Sequence, residues 1–203
     1  MFYETRENNH GLESSPFNSL IIPRPIGWIS SQDTQGNINL APYSYFNAVS
    51  DNPPMVMFAT VNSRSDGSVK DTIHNVETQG EFVVNMATFE LREAVNLSSK
   101  LLPRHINEFL FTELEAIPSK LIQPPRVKCS PIHLECVYYQ SVQLPISSEG
   151  YTNRVVIGQV VGIHIDDSLI ISGKVDITRI KPIARLGYSE YAVIDNIFNM
   201  YRP

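Results

Sequence analysis

The sequence is short of charge, of cysteine and of long apolar runs, and each shortage removes a class of function. Charged residues make up only 18% of 203 positions, and the net charge is −5. Nucleic-acid binding normally rests on a basic patch that neutralises phosphates, so this balance argues against it. The few Lys and Arg remain free to gather around an anionic small molecule. No apolar run approaches the ~18 residues that a membrane helix needs. The opening segment MFYETRENNHGLESSPF has no basic stretch followed by an apolar one, so it does not read as a signal peptide. Only Cys129 and Cys136 are present, with neither CxxC nor zinc-site spacing. Two reduced, partly buried thiols in a cytoplasmic protein are the expectation.

Motifs for reactive chemistry are equally scarce. The chain has no GxGxxG, P-loop, GxSxG or HExxH pattern. Its five histidines, His10, His74, His105, His133 and His164, are scattered. His164 lies between apolar residues just before Asp166. An acid–base role is open to it, although a strand histidine on the polar side of a sheet is the plainer reading. Glu77 and Glu81 flank Gly80 and read as a solvated helix end.

What the chain does have is apolar content, 42% hydrophobic, enough for one sizeable core. The pattern is one of short strands. Ile26 to Ser31 is a bounded apolar run, DTQG is a turn, and NINLAPYS returns as its hairpin partner. Pro42 within that partner points to a sheet edge or a bulge. DNPP is a further turn, followed by strands MVMFATV and EFVVNMA. Two later runs, RVKCSPIHLECVYYQSVQL and RVVIGQVVGIHI, alternate as half-buried antiparallel strands do. Gly158 and Gly162 mark bends in the second of these. A hairpin is expected in DDSLIISGKVDI.

Helices are few. One is expected over SVKDTIHNVETQG, with Ser68 as N-cap, Asp71 completing a capping box and Gly80 as the stop. Another is expected over TFELREAVNLSS with Thr88 as N-cap, and a helical turn around INEF. Residues 1–20 read as a partly ordered arm, and the tail carries four aromatics, Tyr188, Tyr191, Phe198 and Tyr201. The whole reads as one domain, an all-β barrel with helical inserts.

Two polar sets stand out. The first, Ser30, Ser31, Asn39, Ser44, Asn47 and Ser50, lies among Trp28, Tyr43, Tyr45 and Phe46. Uncharged donors beside aromatics suit a flat heteroaromatic ring with acceptors on its edge. The second, Ser63, Arg64, Ser65, Lys70, Asp71 and Thr72, combines cations, hydroxyls and a helix start, which suits an anion. Taken singly, each residue also reads as ordinary strand, turn or cap material. Together they describe a ring at one end and a phosphate at the other, the shape of flavin mononucleotide (FMN).

The words PRPIGWISS, NINLAPYSYFNAVSDNPPMVMF, KDTIHNVETQGEFVVNM, NEF, PPRV, HLEC, IGQVVGIHID and ARLGYSEYA, in this order, resemble the flavin reductase-like family of FMN-binding split-barrel proteins. The resemblance runs from about Pro23 to the C-terminus. It implies a mainly β fold, a six-stranded antiparallel Greek-key split barrel with peripheral α-helices, and a homodimer with flavin near the subunit interface. It implies that Trp28, Ser30 and Ser31 line the ribityl and phosphate side. Ser44, Tyr45, Asn47 and Ser50 would meet the ring, partly by backbone. Ser63, Arg64, Lys70, Asp71 and Thr72 would hold the phosphate end, with Asp71 capping the helix rather than touching the anion. Arg185 and Tyr191 match the family's RLG…Y word and are expected near the site or the dimer interface. FMN carries its own redox chemistry, which fits the missing nucleophile. The implied activity is flavin reduction with NAD(P)H as co-substrate. An FMN-carrying electron-transfer protein with a redox protein partner, and the same fold without flavin, remain as alternatives.

Overall fold

A computed structural model describes residues 1–60, 69–104, 106–146 and 152–202. Its core element is one seven-stranded antiparallel sheet. The strands are β1 (Gly27–Gln32), β2 (Ile38–Tyr43), β3 (Phe46–Asp51), β4 (Pro54–Thr60), β5 (Glu81–Met86), β6 (Ile132–Gln143) and β7 (Arg154–Ile165). Their spatial order is β2-β1-β5-β6-β7-β4-β3. The two edge strands, β2 and β3, are neighbours in sequence, joined only by Ser44 and Tyr45. Two residues reach no more than ~3.6 Å each. The sheet therefore curls until its edges approach, which is a barrel split at one seam.

The mainly β architecture with few helices matches the expectation, and the strand count does not. Seven strands share the sheet, not six. The additional one is β3, between the expected strand NINLAPYS and the turn DNPP, where no strand is expected from sequence. It pairs with β4 through a register shift between Ala48 and Ser50, and such irregularity hides the period-two pattern. Pro42 sits in edge strand β2, where its missing N–H breaks no ladder. Both expected bends in β7 appear as register shifts against β6, one at Ile157/Gly158 and one at Val160/Gly162. At Gly158 a Cβ would stand 2.5 Å from the Phe82 ring, so only glycine fits beneath that side chain. The expected hairpin pairs Ile170–Ile171 with Lys174–Val175.

The helices that frame the site are α1 (Asp71–Gln79), α2 (Arg92–Leu97) and α3 (Glu108–Phe111). Gly80 ends α1 in the left-handed region and its N–H donates to Val76 O, as expected of a C-terminal glycine. The expected start of α2 is wrong. Leu91, not Thr88, is the N-cap. Thr88 instead bridges to Pro182, so tertiary pairing takes the backbone that a cap needs. Asn107 caps α3 by accepting from Phe109 N. The anticipated cap Ser68 lies outside the described residues.

Two apolar clusters form the core. One fills the barrel with Ile29, Tyr43, Phe58, Phe82, Val156 and the Ile73/Val76 face of α1. The other packs Trp28, Leu40, Val95, Phe109 and Val127 on the outside, under α2 and α3. Neighbours Trp28 and Ile29 go to opposite clusters, so β1 is buried on both faces and reads as a continuous apolar run. Cys136 is buried, Cys129 is exposed, and both are free thiols. Among the described residues no helix is long and apolar enough to cross a membrane.

Candidate functional site

A cavity of about 220 Å³ opens where β2, the start of α1 and the chain following α2 converge. Lys70, Asp71 and Thr72 supply one wall, Asn39 and Tyr43 the second, and Ser98 to Leu102 with Glu108 the third. Three of the expected phosphate-end residues thus meet in one place.

The charges here are unevenly satisfied. Asp71 is paired with Arg104, 2.6 Å away. Glu108, almost fully buried, accepts from Leu40 N at 3.2 Å. Lys70 has no ion-pair or hydrogen-bond partner for its ammonium among the described residues; its nearest described company is the Tyr43 ring, 6.0 Å from Nζ to centroid. Burial lowers the Lys70 pKa, because desolvation disfavours the charged form. Burial also raises the Tyr43 hydroxyl, and the Asp71 and Glu108 carboxylates add to that. Tyr43 therefore stays a neutral phenol beside Thr72 in the cavity wall. Thr72 Oγ1 in turn accepts from Asn39 Nδ2 at 2.8 Å.

Asp71 is the first residue of α1, and the Lys70 side chain before it makes no cap hydrogen bond. The expected capping partner Ser68 lies outside the described residues, and the Asp71 carboxylate accepts from Arg104 Nε. The start of this nine-residue helix turns the positive end of its dipole toward the cavity wall that Lys70 and Asp71 form.

Trp28, Ser30 and Ser31 sit elsewhere than expected. All three are fully buried, with their side-chain polar atoms engaged inside the protein. Trp28 Nε1 donates to Ser98 Oγ at 2.9 Å. Ser30 Oγ donates to Pro125 O at 2.5 Å and accepts from Asn85 Nδ2 at 3.1 Å. Ser31 Oγ accepts from Asn75 Nδ2 at 3.2 Å. They back the cavity without lining it: Trp28 holds lining residue Ser98, and Ser31 is the ladder partner of lining residue Asn39. β1 is central and covered on both faces, so its side chains have no open side.

The ring-side candidates fall on the seam, immediately after lining residue Tyr43. Ser44 and Tyr45 form the β2–β3 connection, and Asn47 and Ser50 lie on β3. Tyr45 is committed, its OH donating to Asn18 Oδ1 at 2.6 Å and its backbone O accepting from Ala59 N. Asn47 Oδ1 accepts from Ala48 N. The Ser44 and Ser50 hydroxyls and the Asn47 NH₂ have no partner among the described residues. Ser63 and Arg64 lie outside the described residues.

Sequence reasoning missed Ser98 to Leu102 and gave Glu108 no role. The polar run SSK after an apolar helix was a visible signal; its nearness to Lys70 was not, because α2 is brought over β2 only by the second core cluster. His164 is half-buried on β7 and contacts Glu135 Oε1 at 2.5 Å, remote from the cavity lining. Arg185 donates to Tyr191 Oη at 2.6 Å, also outside this cavity.

Comparison with known proteins bears on the family and the fold. A protein from Aquifex aeolicus (strain VF5), itself uncharacterised, is 36% identical over 173 residues, 85% of each chain. Among solved structures, nitrilotriacetate monooxygenase component B from Bacillus cereus superposes with a TM-score of 0.88 at 32% identity, covering 98% of both chains. The 2-nitrobenzoate 2-nitroreductase of Pseudomonas fluorescens superposes with a TM-score of 0.83 at 25% identity, covering 100% of this chain and 96% of the other. The sequence profile of the flavin reductase like domain matches residues 19–175. The chain belongs to the flavin reductase-like family.

Proposed function

We propose that this protein binds FMN and reduces it with NAD(P)H. The observation that carries the reading is Lys70: a half-buried ammonium, free of anionic partners among the described residues, at the N-terminal end of α1. A desolvated cation without a counter-ion is unfavourable for the empty protein. It becomes favourable when a phosphate arrives, since charge-assisted hydrogen bonds then replace the lost water. Asp71 and Glu108 would repel that phosphate if free, but Arg104 and Leu40 N hold them. The residues present therefore fit the phosphate end of FMN.

FMN held there would supply the redox chemistry, hydride uptake from a reduced nicotinamide and electron delivery onward. The chain's own part is binding and orientation. Lys70, at the start of α1, would hold the phosphate. Thr72, fixed by Asn39, shapes the wall next to it. Ser44, Asn47 and Ser50, whose side-chain donors have no partner among the described residues, would meet the acceptor edge of the ring from the seam. A homodimer accompanies this reading, supported by the exposed apolar side chains Val137, Tyr139, Ile163 and Ile165 on adjacent strands β6 and β7.

The test is anaerobic mixing of FMN-loaded protein with NADH or NADPH, following visible flavin absorption. Bleaching within seconds supports a reductase. Reduction only by a protein or chemical donor identifies a carrier instead. If added FMN neither binds nor raises the melting temperature, the flavin reading is wrong.

A further inference from the structure

A second cavity, of about 420 Å³, shares no lining residue with the Lys70 cavity. It lies between α2 and the short strands β8 (Ile183–Arg185) and β9 (Tyr191–Val193). Its volume is in the ordinary range for a small-molecule site. Val95, Ile183, Ala192 and Val193 provide apolar surface. Phe89 and Tyr191 add aromatic rings, and each is held flat by an arginine. The Arg92 guanidinium lies 4.1 Å from the Phe89 centroid, and that of Arg185 lies 4.6 Å from the Tyr191 centroid. Arg92 is further fixed by donating through Nη1 to Phe89 O at 2.8 Å and by a loose 3.5 Å pairing of Nε with Glu93.

That leaves Arg92 Nη2 without a partner among the described residues, together with the Asn96 carboxamide and the Ser189 hydroxyl. Apolar surface with a few converging, unengaged donors selects a particular ligand shape. A phosphate would leave the aliphatic side chains dry and find only one free guanidinium edge. An aliphatic neutral ligand would bury the Arg92 and Asn96 donors unsatisfied. A cation would face Arg92. A flat ring with one carboxylate satisfies the free donors: Glu93, which also lines the cavity, is drawn to Arg92 Nε, while the Nη2 edge presents planar N–H to a carboxylate and Tyr191 offers a ring face or edge.

We propose that this cavity is a binding site for a planar aromatic monocarboxylate, separate from the flavin site. The probe is 2-naphthoate, titrated calorimetrically into the full chain with and without saturating FMN. The titration without flavin makes the outcome independent of the flavin reading. Naphthoate is expected to bind equally in both titrations, and 2-naphthamide at least tenfold more weakly. Arg92→Gln is expected to weaken naphthoate at least tenfold, and Ala192→Phe, which fills the cavity, to abolish binding. Both variants should keep the wild-type melting profile and FMN affinity within twofold. Displacement of naphthoate by FMN, equal affinity for the amide, wild-type affinity in Arg92→Gln, or no naphthoate binding at all would each overturn the proposal.

Discussion

Replacing Lys70 by alanine separates binding from stability, and the two should move in opposite directions. A charge-assisted hydrogen bond contributes roughly 1.5–3 kcal/mol, and each 1.4 kcal/mol is about tenfold in affinity. Lys70→Ala should therefore weaken FMN by about 10- to 150-fold. Riboflavin, which lacks the phosphate, should change by less than about twofold on the same reasoning. The apoprotein should not suffer, because the ammonium has no partner among the described residues to lose and its burial is unfavourable. The sign follows from the lowered pKa: the unfolded chain holds the proton to higher pH than the folded one, so stability linked to Lys70 rises with pH through the folded value. At neutral pH the variant should melt at the wild-type temperature or higher. Wild-type affinity for FMN should also fall, as pH rises, earlier than an ordinary lysine would dictate. Fluorescence titration of FMN and riboflavin, with calorimetric melts of the apoproteins, reads all of this. Equal weakening of both flavins would place Lys70 away from the phosphate. A large drop in apoprotein melting temperature would show that the ammonium has a structural partner.

Acid should destabilise the fold through His133. Burial pushes its pKa down from 6.5 to about 4, its Nε2 is held by Val127 O, and its buried Nδ1 has no partner. Stability linked to it is present above pH 6.5 and lost as pH falls toward 4, about 2.5 kcal/mol by pH 4.5. Denaturant unfolding of His133→Asn across pH 4.5–7 should lack that slope, and a slope equal to wild type would refute the assignment. Gly158→Ala should lower stability by roughly 1–3 kcal/mol through overpacking against Phe82; an unchanged denaturation midpoint would show that the ring can move. Asn85→Leu should cost more than about 2 kcal/mol, since the Asn85 side chain serves Trp28 O, Ser30 Oγ and Val127 N in a dry interior. Wild-type urea stability in that variant would mean water replaces the amide.

Pattern alone carried much of the fold because the features concerned are local. Gly80 ends α1, INEF makes a helical turn, Pro42 marks an edge and the β7 glycines mark bulges, each through backbone rules spanning a few residues. Thr88 misled for the opposite reason: its backbone is claimed by Pro182, 94 positions away. β3 was hidden because its register shift breaks the alternation.

The site divides along the same line. Lys70, Asp71 and Thr72 were legible as a cation, a carboxylate and a hydroxyl at a helix start. The sequence by itself therefore determined that the residue types an anion site needs stand together at one helix start, and that the GxSxG and HExxH patterns are missing. Only the tertiary structure decided which polar groups remain available. Ser30 and Ser31 looked as open as Ser44 in the sequence, yet β1 is central and both are consumed by Pro125, Asn85 and Asn75. Ser98 and Glu108 come beside Lys70 only because α2 and α3 pack over β2 around Leu40. Donor types are a property of residues; whether a donor is free is set by burial and by partners from distant segments.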